Sequence, residues 1–350
     1  MDRGSKPAVL VTGGAGYIGA HTAKALHELG FFPVVYDSLS SGFREAVRWG
    51  AFVHGDIRDG RALGEALDAH GVKAVIHFAG LIEVGRSTVK PDLFWEHNVS
   101  GTTSLLSTMR EHGVERLVFS SSAAVYGQGG RGALEIIPED APKAPASPYG
   151  DTKLACEWMI EAQCRAYGLT AVALRYFNAA GADASGLIGE AHEPETHLIP
   201  LAMAAALGDG KPLTVFGDDF DTPDGTCLRD YIHVTDLAAA HVAALRADLP
   251  AGAFEPVNVG TGQGRSVLEV VEAVGRAVGR HVPYSVGARR AGDPPSLVAD
   301  PARAKALLGW SAQRSSLDQI VVDALRWERN PVYGSGVRGA RARTPDKAVV

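Results

Sequence analysis

The residues with the clearest chemical potential are Tyr149 and Lys153, in the run Tyr149-Gly150-Asp151-Thr152-Lys153. On a helix a spacing of four puts the phenol and the amine on one face. Pro145-Ala146-Ser147-Pro148 reads as the start of such a helix. A phenol titrates near pH 10, so lowering it by about three units requires roughly 4 kcal/mol of preference for the phenolate. One positive charge about 4 Å away supplies on the order of 4 kcal/mol at an effective dielectric of about 20. On paper Lys153 suffices to make Tyr149 a general base. A solvated Tyr/Lys pair on a helix surface is the plainer alternative. Ser120-Ser121-Ser122 closes the preceding apolar run, where one serine can relay a proton or orient a substrate hydroxyl.

A second group of residues speaks for a dinucleotide. Gly13-Gly14-Ala15-Gly16-Tyr17-Ile18-Gly19 follows an apolar run and opens a helical pattern. The spacing Gly13, Gly16, Gly19 allows a tight turn, then close backbone approach to a pyrophosphate, then close helix–sheet packing. The phosphates would lie on the free N–H groups at the helix N-terminus. Asp37, at the end of the second apolar run, can accept hydrogen bonds from ribose hydroxyls and would repel a 2′-phosphate, so NAD is expected rather than NADP. A turn or helix cap is the structural alternative for Asp37. Asp56 follows a third apolar run, Ala51–His54, and can face the adenine. An oxidised nicotinamide would bring a second positive charge to Tyr149.

These residues need a scaffold, and the first half of the chain supplies one. Ala8–Thr12 reads as a buried strand, Gly16–Leu29 as a helix and Pro33–Tyr36 as the next strand. Lys73–Phe78, Leu117–Ser121 and Thr170–Arg175 repeat the strand signal with helical stretches between. Such alternation predicts an α/β fold, a Rossmann-type doubly wound parallel sheet covered on both faces, with the serines and glycines at its ligand-binding edge. Past Asn178 the alternation fades and Gly, Pro and Asp increase. The expectation is a Rossmann domain over 8–178 and a smaller substrate domain over 179–330. Tyr231–Val234 and Pro256–Val259 are candidates to return to the first sheet. Tyr333 to Val350, Gly/Arg/Lys-rich and aperiodic, is expected to be a disordered tail.

Bulk properties fit this reading. A length of 350 residues suggests about two domains, and 46% hydrophobic with 21% charged residues is ordinary for a globular protein. The net charge of −6 argues against a nucleic-acid or anionic-membrane binder. No signal peptide, membrane span or repeat is visible. Three cysteines without C-x-x-C spacing fit neither a disulfide framework nor a zinc site, so reduced thiols and a cytoplasmic location are expected. His192-Glu193-Pro194-Glu195-Thr196-His197 lacks the spacing of a metalloprotease helix. Asp218 to Gly225 lacks the register of a calcium loop, and no metal is expected at either.

The motifs together resemble a known family. Val11 to Gly19, His77-Phe78-Ala79-Gly80, Ser120 to Gly127, Ser147 to Lys153, Arg175-Tyr176-Phe177-Asn178 and Arg229-Asp230-Tyr231-Ile232-His233-Val234 are similar to the extended short-chain dehydrogenase/reductases. More narrowly they resemble the UDP-glucose 4-epimerases, over nearly the whole chain from about Val9 to Trp327. The resemblance implies an NAD-dependent isomerase that oxidises a UDP-sugar at C4, turns the 4-ketose and reduces its other face. Tyr149 would be the base, Lys153 its tuner and a nicotinamide-ribose anchor, and Ser122 a bridge to the sugar. It implies cofactor contacts at Tyr17, Ile18, Asp37, Ser38, Leu39, Ser40, Ser41, Gly42, Asp56, Ile57, Phe78, Ala79, Gly80, Leu81, Ile82, Asn98 and Phe177. It implies substrate contacts at Asn178, His197, Leu198, Leu213, Thr214, Val215, Phe216, Arg229, Arg290 and Asp293, with the two arginines as pyrophosphate forks. A homodimer through helices of the first domain is also implied.

Two positions depart from the family pattern. Some members carry lysine where Ile82 stands, so that contact is lost or replaced. Enzymes confined to unacetylated sugars often carry tyrosine where Leu297 aligns, which opens the range to UDP-N-acetylglucosamine or to UDP-xylose and UDP-arabinose. A sugar-nucleotide 4,6-dehydratase would need an added acid and base directly after the serine, where Ala123 and Ala124 stand. A non-catalytic Rossmann regulator would have no need of Tyr149 and Lys153.

Overall fold

In a computed structural model of the chain, residues 6–127, 136–208, 211–290 and 293–334 are described. The first apolar run forms β1 (Ala8–Thr12), every residue buried, followed by helix α1 (Tyr17–Glu28). β2 (Phe32–Asp37) and β3 (Ala51–His54) lead to α2 (Gly60–His70), capped by Asp59 and ended by left-handed Gly71. After β4 (Ala74–His77) come the short α3 (Val84–Val89) and α4 (Pro91–Phe94), then α5 (Gly101–Glu111). β5 (Arg116–Ser122), α6 (Pro148–Tyr167) and β6 (Thr170–Tyr176) complete the first half. α6 starts where the sequence predicts: the Ser147 hydroxyl accepts the Gly150 amide, and Pro148 needs no hydrogen-bond partner in the first turn.

The second half is more broken. It contains β7 (Asn178–Ala180), α7 (Leu198–Leu207), β8 (Leu213–Phe216), β9 (Leu228–His233), α8 (Val234–Arg246), β10 (Phe254–Val259) and β11 (Gly264–Ser266). α9 (Val267–Val278), β12 (Tyr284–Gly287), β13 (Ser296–Leu297), α10 (Ala302–Leu308) and α11 (Leu317–Arg329) follow.

Seven strands form one parallel sheet in the order β10-β6-β5-β4-β1-β2-β3. This is the doubly wound Rossmann arrangement that the alternation predicts. The strand order reverses between β1 and β4, so the crevice for a ligand opens at the carboxyl ends of those strands. One face is covered by Leu63, Leu67, Leu105, Met109 and Ile160, from α2, α5 and α6. The other is covered by Leu26 of α1 and by Leu237, Ala240 and Val242 of α8. Burial on both faces is why these strands read as unbroken apolar runs.

Pro256–Val259 lies in β10, at the edge of this sheet, where a proline's missing N–H breaks no ladder on its open side. Tyr231–Val234 does not return to it. Its strand residues belong to β9, the hub of a smaller sheet with β7, β11 and β13, because β9 pairs on both sides with short strands of the second half. β8 and β12 pair separately. α7, α9 and α11 share a third core around Ile199, Met203, Val270, Val274, Ile320 and Val321. Tyr333, expected in the tail, is instead buried against Trp327 and Phe43; residues 335–350 of that segment lie outside the described residues. Among the described residues no helix is long and apolar enough to cross a membrane.

Candidate active site

Tyr149 and Lys153 sit in the first turns of α6, both buried, facing the carboxyl end of β5. The Tyr149 and Ser122 side chains are hydrogen-bonded, and Ser122 Oγ also accepts the Ala124 amide at 3.1 Å. Lys153 Nζ donates to the Ser120 carbonyl at 2.8 Å and stands 5.9 Å from the centre of the Tyr149 ring. Burial lifts the Tyr149 phenol above its ordinary range, and the Ser122 bond pulls it part of the way back. Burial also lowers the Lys153 ammonium to about 8, against the opposing pull of Cys156 and Glu157. This corrects the expectation that Lys153 suffices to make a phenolate. Desolvation penalises both charged forms, and the ammonium is committed to a carbonyl.

The glycine loop has the shape a dinucleotide needs. Gly13 adopts φ +70°, and a Cβ there would meet the Ala79 amide nitrogen at 2.6 Å, so the loops after β1 and β4 touch. A Cβ on Gly19 would run into the Gly13 carbonyl, which fixes how closely α1 enters the sheet edge. In front of Gly16 only the Gly13 oxygen is near, at 3.3 Å. The N-terminus of α1 has no side-chain cap and no acid in its first turn. Uncapped N–H donors in a first turn that carries no acid fit a pyrophosphate.

Asp37 is buried at the end of β2, accepting the Ala15 amide at 2.9 Å and the Leu39 amide at 2.8 Å. The turn-capping alternative is therefore realised, with lone pairs left over for ribose hydroxyls. Burial raises its carboxyl, and the Leu39 and Ala15 amides oppose this. Leu39 takes φ +57°, a conformation costing roughly 1–2 kcal/mol for a branched residue, in the loop that also holds Ser38, Ser40, Ser41 and Gly42. Gly42 packs on Ala15, so this loop and the glycine loop close on each other.

Asp56 is half engaged elsewhere: Arg58 grips its carboxylate, Nη2 to Oδ2 at 2.7 Å, and holds its pKa low. Ile57 is buried under Gly101. Asn98 accepts the Leu81 amide at 2.8 Å and donates to the Leu81 carbonyl and Thr152 Oγ1, both at 3.1 Å, so it braces the Ala79–Ile82 loop on α6. Phe78 stacks on His241 and Phe177 is buried, while Ile82 is exposed. Tyr17 OH donates to the Gly181 carbonyl at 2.6 Å, linking α1 to the turn after β7, and Ile18 packs beneath.

Several of the expected substrate residues lie together in the second half of the chain. Arg229 of β9 donates to the carbonyls of Leu228 (2.8 Å) and Pro294 (3.0 Å) and lies 3.7 Å from Asp293. Arg290 bonds the same carboxylate at 2.8 Å and lies over the Phe216 ring. Two guanidinium groups thus converge on one acid. β8 alternates, so Leu213 and Val215 point into the core and only Thr214 and Phe216 present side chains outward. Leu213 and Val215 can therefore offer only backbone atoms to a ligand. Leu297 pairs with Arg229 and packs against the apolar cluster around Ile137, Leu154 and Phe177. Asn178 lies in β7 opposite Tyr231.

His197 caps α7 beside Leu198, with Nδ1 2.6 Å from Glu190 and 3.2 Å from Glu195. Burial pulls its pKa down, but the two carboxylates win and lift it to about 10, so it is an imidazolium at neutral pH. The fold brings ligand atoms of His192, Glu195 and His197 within 4.8 Å of one another, although their linear spacing matches no metal motif.

Sequence reasoning missed Glu157, Ser121 and the role of Arg175, which form a buried ionic cluster behind Lys153. Two signals were available: an acid one turn beyond Lys153, and an arginine inside an apolar strand run.

A Rossmann sheet with a Ser–Tyr–Lys group at the carboxyl end of β5 defines a nucleotide-dependent oxidoreductase-type fold. Residues 9–260 match the NAD dependent epimerase/dehydratase family, and the chain belongs to it. It is similar to the UDP-glucose 4-epimerase of Halalkalibacterium halodurans, 47% identical over 331 residues, covering 93% of this chain and 97% of that one. Among solved structures, UDP-glucose 4-epimerase from Brucella ovis in complex with NAD is 52% identical, with TM-score 0.88, covering 92% of this chain and 98% of that one. The Stenotrophomonas maltophila UDP-glucose 4-epimerase with bound NAD and formylated UDP-arabinopyranose is 40% identical, with TM-score 0.87, covering 92% and 98%.

Proposed function

We propose that this protein is an NAD-dependent 4-epimerase that interconverts UDP-glucose and UDP-galactose. The observation that carries the reading is the Tyr149–Lys153 pair, buried beside Ser122 at the carboxyl end of β5, one strand from the β1/β4 crevice. The relatives' activity supports it. Bound NAD supplies the hydride acceptor, the returning hydride and a positive charge near the phenol.

The chain's own residues do the rest. Gly13, Gly16 and the N-terminus of α1 would hold the pyrophosphate, and Asp37 the adenosine ribose. Tyr149 takes the proton of the sugar's 4-hydroxyl as C4 is oxidised, and Ser122 aligns that hydroxyl with the phenol. Lys153 keeps a positive charge beside Tyr149 while it is ionised. Arg229 and Arg290 exchange Asp293 for the substrate pyrophosphate and hold it while the 4-ketose turns. Tyr149 then returns the proton on the opposite face. In this reading the seven-stranded unit binds the cofactor and the smaller unit binds the nucleotide sugar.

Three finer points belong to the proposal. Exposed Val89, Trp95 and Trp158, on or beside α3, α4 and α6, support a homodimer through helices of the first unit. The composition and the three unpaired thiols favour a cytoplasmic location. The pentose nucleotide bound by the Stenotrophomonas maltophila protein favours UDP-arabinose as a further substrate. The test is incubation of the purified protein with UDP-galactose and, separately, UDP-glucose. Convergence on one mixture from both sides is expected; a dehydrated 4-keto product or binding without turnover would replace the reading.

A further inference from the structure

Behind the catalytic turn of α6 lies a charged cluster that the reaction chemistry does not use. Glu157, one turn beyond Lys153, pairs with Arg175 of β6 through Nη2–Oε2 at 2.5 Å and Nε–Oε1 at 2.9 Å, and each side chain is only 3% exposed. Arg175 Nη1 continues to Tyr126 OH at 2.8 Å and to the Glu139 carbonyl at 3.0 Å. Tyr126 OH in turn donates to Asn258 Oδ1 at 2.7 Å. A buried pair of this kind generally adds no stability over well-packed apolar residues. What it touches gives a better reason for its place.

Ser121 Oγ donates to Glu157 Oε1 at 2.5 Å. Side chains alternate along β5, so Phe119 and Ser121 face α6, and Ser121 is the polar handle on that side. Its two neighbours set the site: the Ser120 carbonyl receives Lys153, and the Ser122 side chain meets Tyr149. A grip on Ser121 therefore fixes the height of α6 along the strand for both contacts together. We propose that Glu157, oriented by Arg175 and latched on Ser121, is a positioning residue that sets the Ser122–Tyr149–Lys153 geometry. The proposal rests on the assignment of Tyr149 as the base.

Ser121→Ala opens the latch and leaves the ion pair intact. Steady-state epimerisation by the NAD-loaded protein should lose about 10- to 100-fold in kcat, the scale of a small misplacement, with KM for UDP-galactose within about twofold. The acid limb of the kcat–pH profile should move to higher pH, because a displaced ammonium supports the phenolate less. Ser121→Thr, which keeps the hydroxyl, should restore both. Glu157→Gln combined with Arg175→Met removes the two charges together, leaves neither orphaned, and should reproduce the Ser121→Ala profile. A merely structural cluster would instead lower the melting temperature while kcat and the pH profile of the folded protein stayed at wild-type values; that result in either variant overturns the proposal. Tyr149→Phe run alongside separates the two ideas. If it still epimerises, the assignment of the base is wrong; if it is dead while Ser121→Ala is unaffected, only the latch is.

Discussion

The two sides of the crevice are built on different principles. On the cofactor side, binding groups are backbone amides held by glycines whose added Cβ atoms would strike Ala79, Ala15 or Gly13. The strands beneath, β1, β2 and β4, are parallel and largely buried, and nothing there has to exchange partners. On the proposed substrate side, strands are as short as two residues, and the candidate binding groups are two arginines that already share Asp293. The first arrangement is pre-formed; the second trades one anion for another. A cofactor that stays through both half-reactions suits the former, and a ligand that must arrive, turn and leave suits the latter.

The largest expected effect is at the chemistry. Tyr149→Phe keeps the ring but removes the hydroxyl, so turnover should fall by at least about 10²- to 10⁴-fold with the melting temperature little changed. Near-native epimerisation would break the mechanism. Lys153 adds a pH signature. Its ammonium titrates near 8, so kcat/KM, which reports the free enzyme, should fall roughly tenfold per pH unit above that value as the charge is lost. Lys153→Met should be slow throughout and lack that alkaline limb. A wild-type profile flat to pH 10 would show that another charge, not this lysine, holds the phenolate.

The arginines test the exchange idea more directly. Arg229 is half-buried and anchored by two carbonyls, whereas the Arg290 side chain is 60% exposed. Arg229→Met should raise KM by about 10- to 100-fold, since a largely desolvated charge-assisted contact carries most energy. Arg290→Met should cost only about two- to fivefold, because solvent screens it. Asp293→Asn frees both groups, and a lowered KM would support a trade of anions. Equal losses at Arg229 and Arg290 would erase the distinction drawn between them.

The smallest effect is expected at Leu297. It packs against the apolar cluster that includes Phe177 and Leu154, in keeping with the plain packing alternative. Leu297→Tyr should leave UDP-glucose turnover within about threefold while depressing UDP-N-acetylglucosamine or pentose turnover, overpacking being a modest cost. An unchanged ratio among the sugars would make this position packing alone.

What the sequence determined by itself is the part ruled by short spacing. Gly13, Gly16 and Gly19 are separated by three residues each, Ser147 and Pro148 start α6, and four residues put Tyr149 above Lys153. Unbroken apolar runs give the parallel strands, because a sheet buried on both faces leaves no polar alternation. Only the tertiary structure decided what depends on distant partners and on burial. Leu213 and Val215 turn inward because β8 has one buried face. β9 leaves the large sheet for pairings with β7, β11 and β13. His192, Glu195 and His197 converge through a loop that no helical spacing describes. Lys153 is drawn to the Ser120 carbonyl, 33 residues away, and Glu157 finds Arg175 and Ser121 on two different strands. Residue types announce which groups can carry a proton or a charge. How strongly each holds it is set by desolvation and by neighbours that the fold brings from far along the chain.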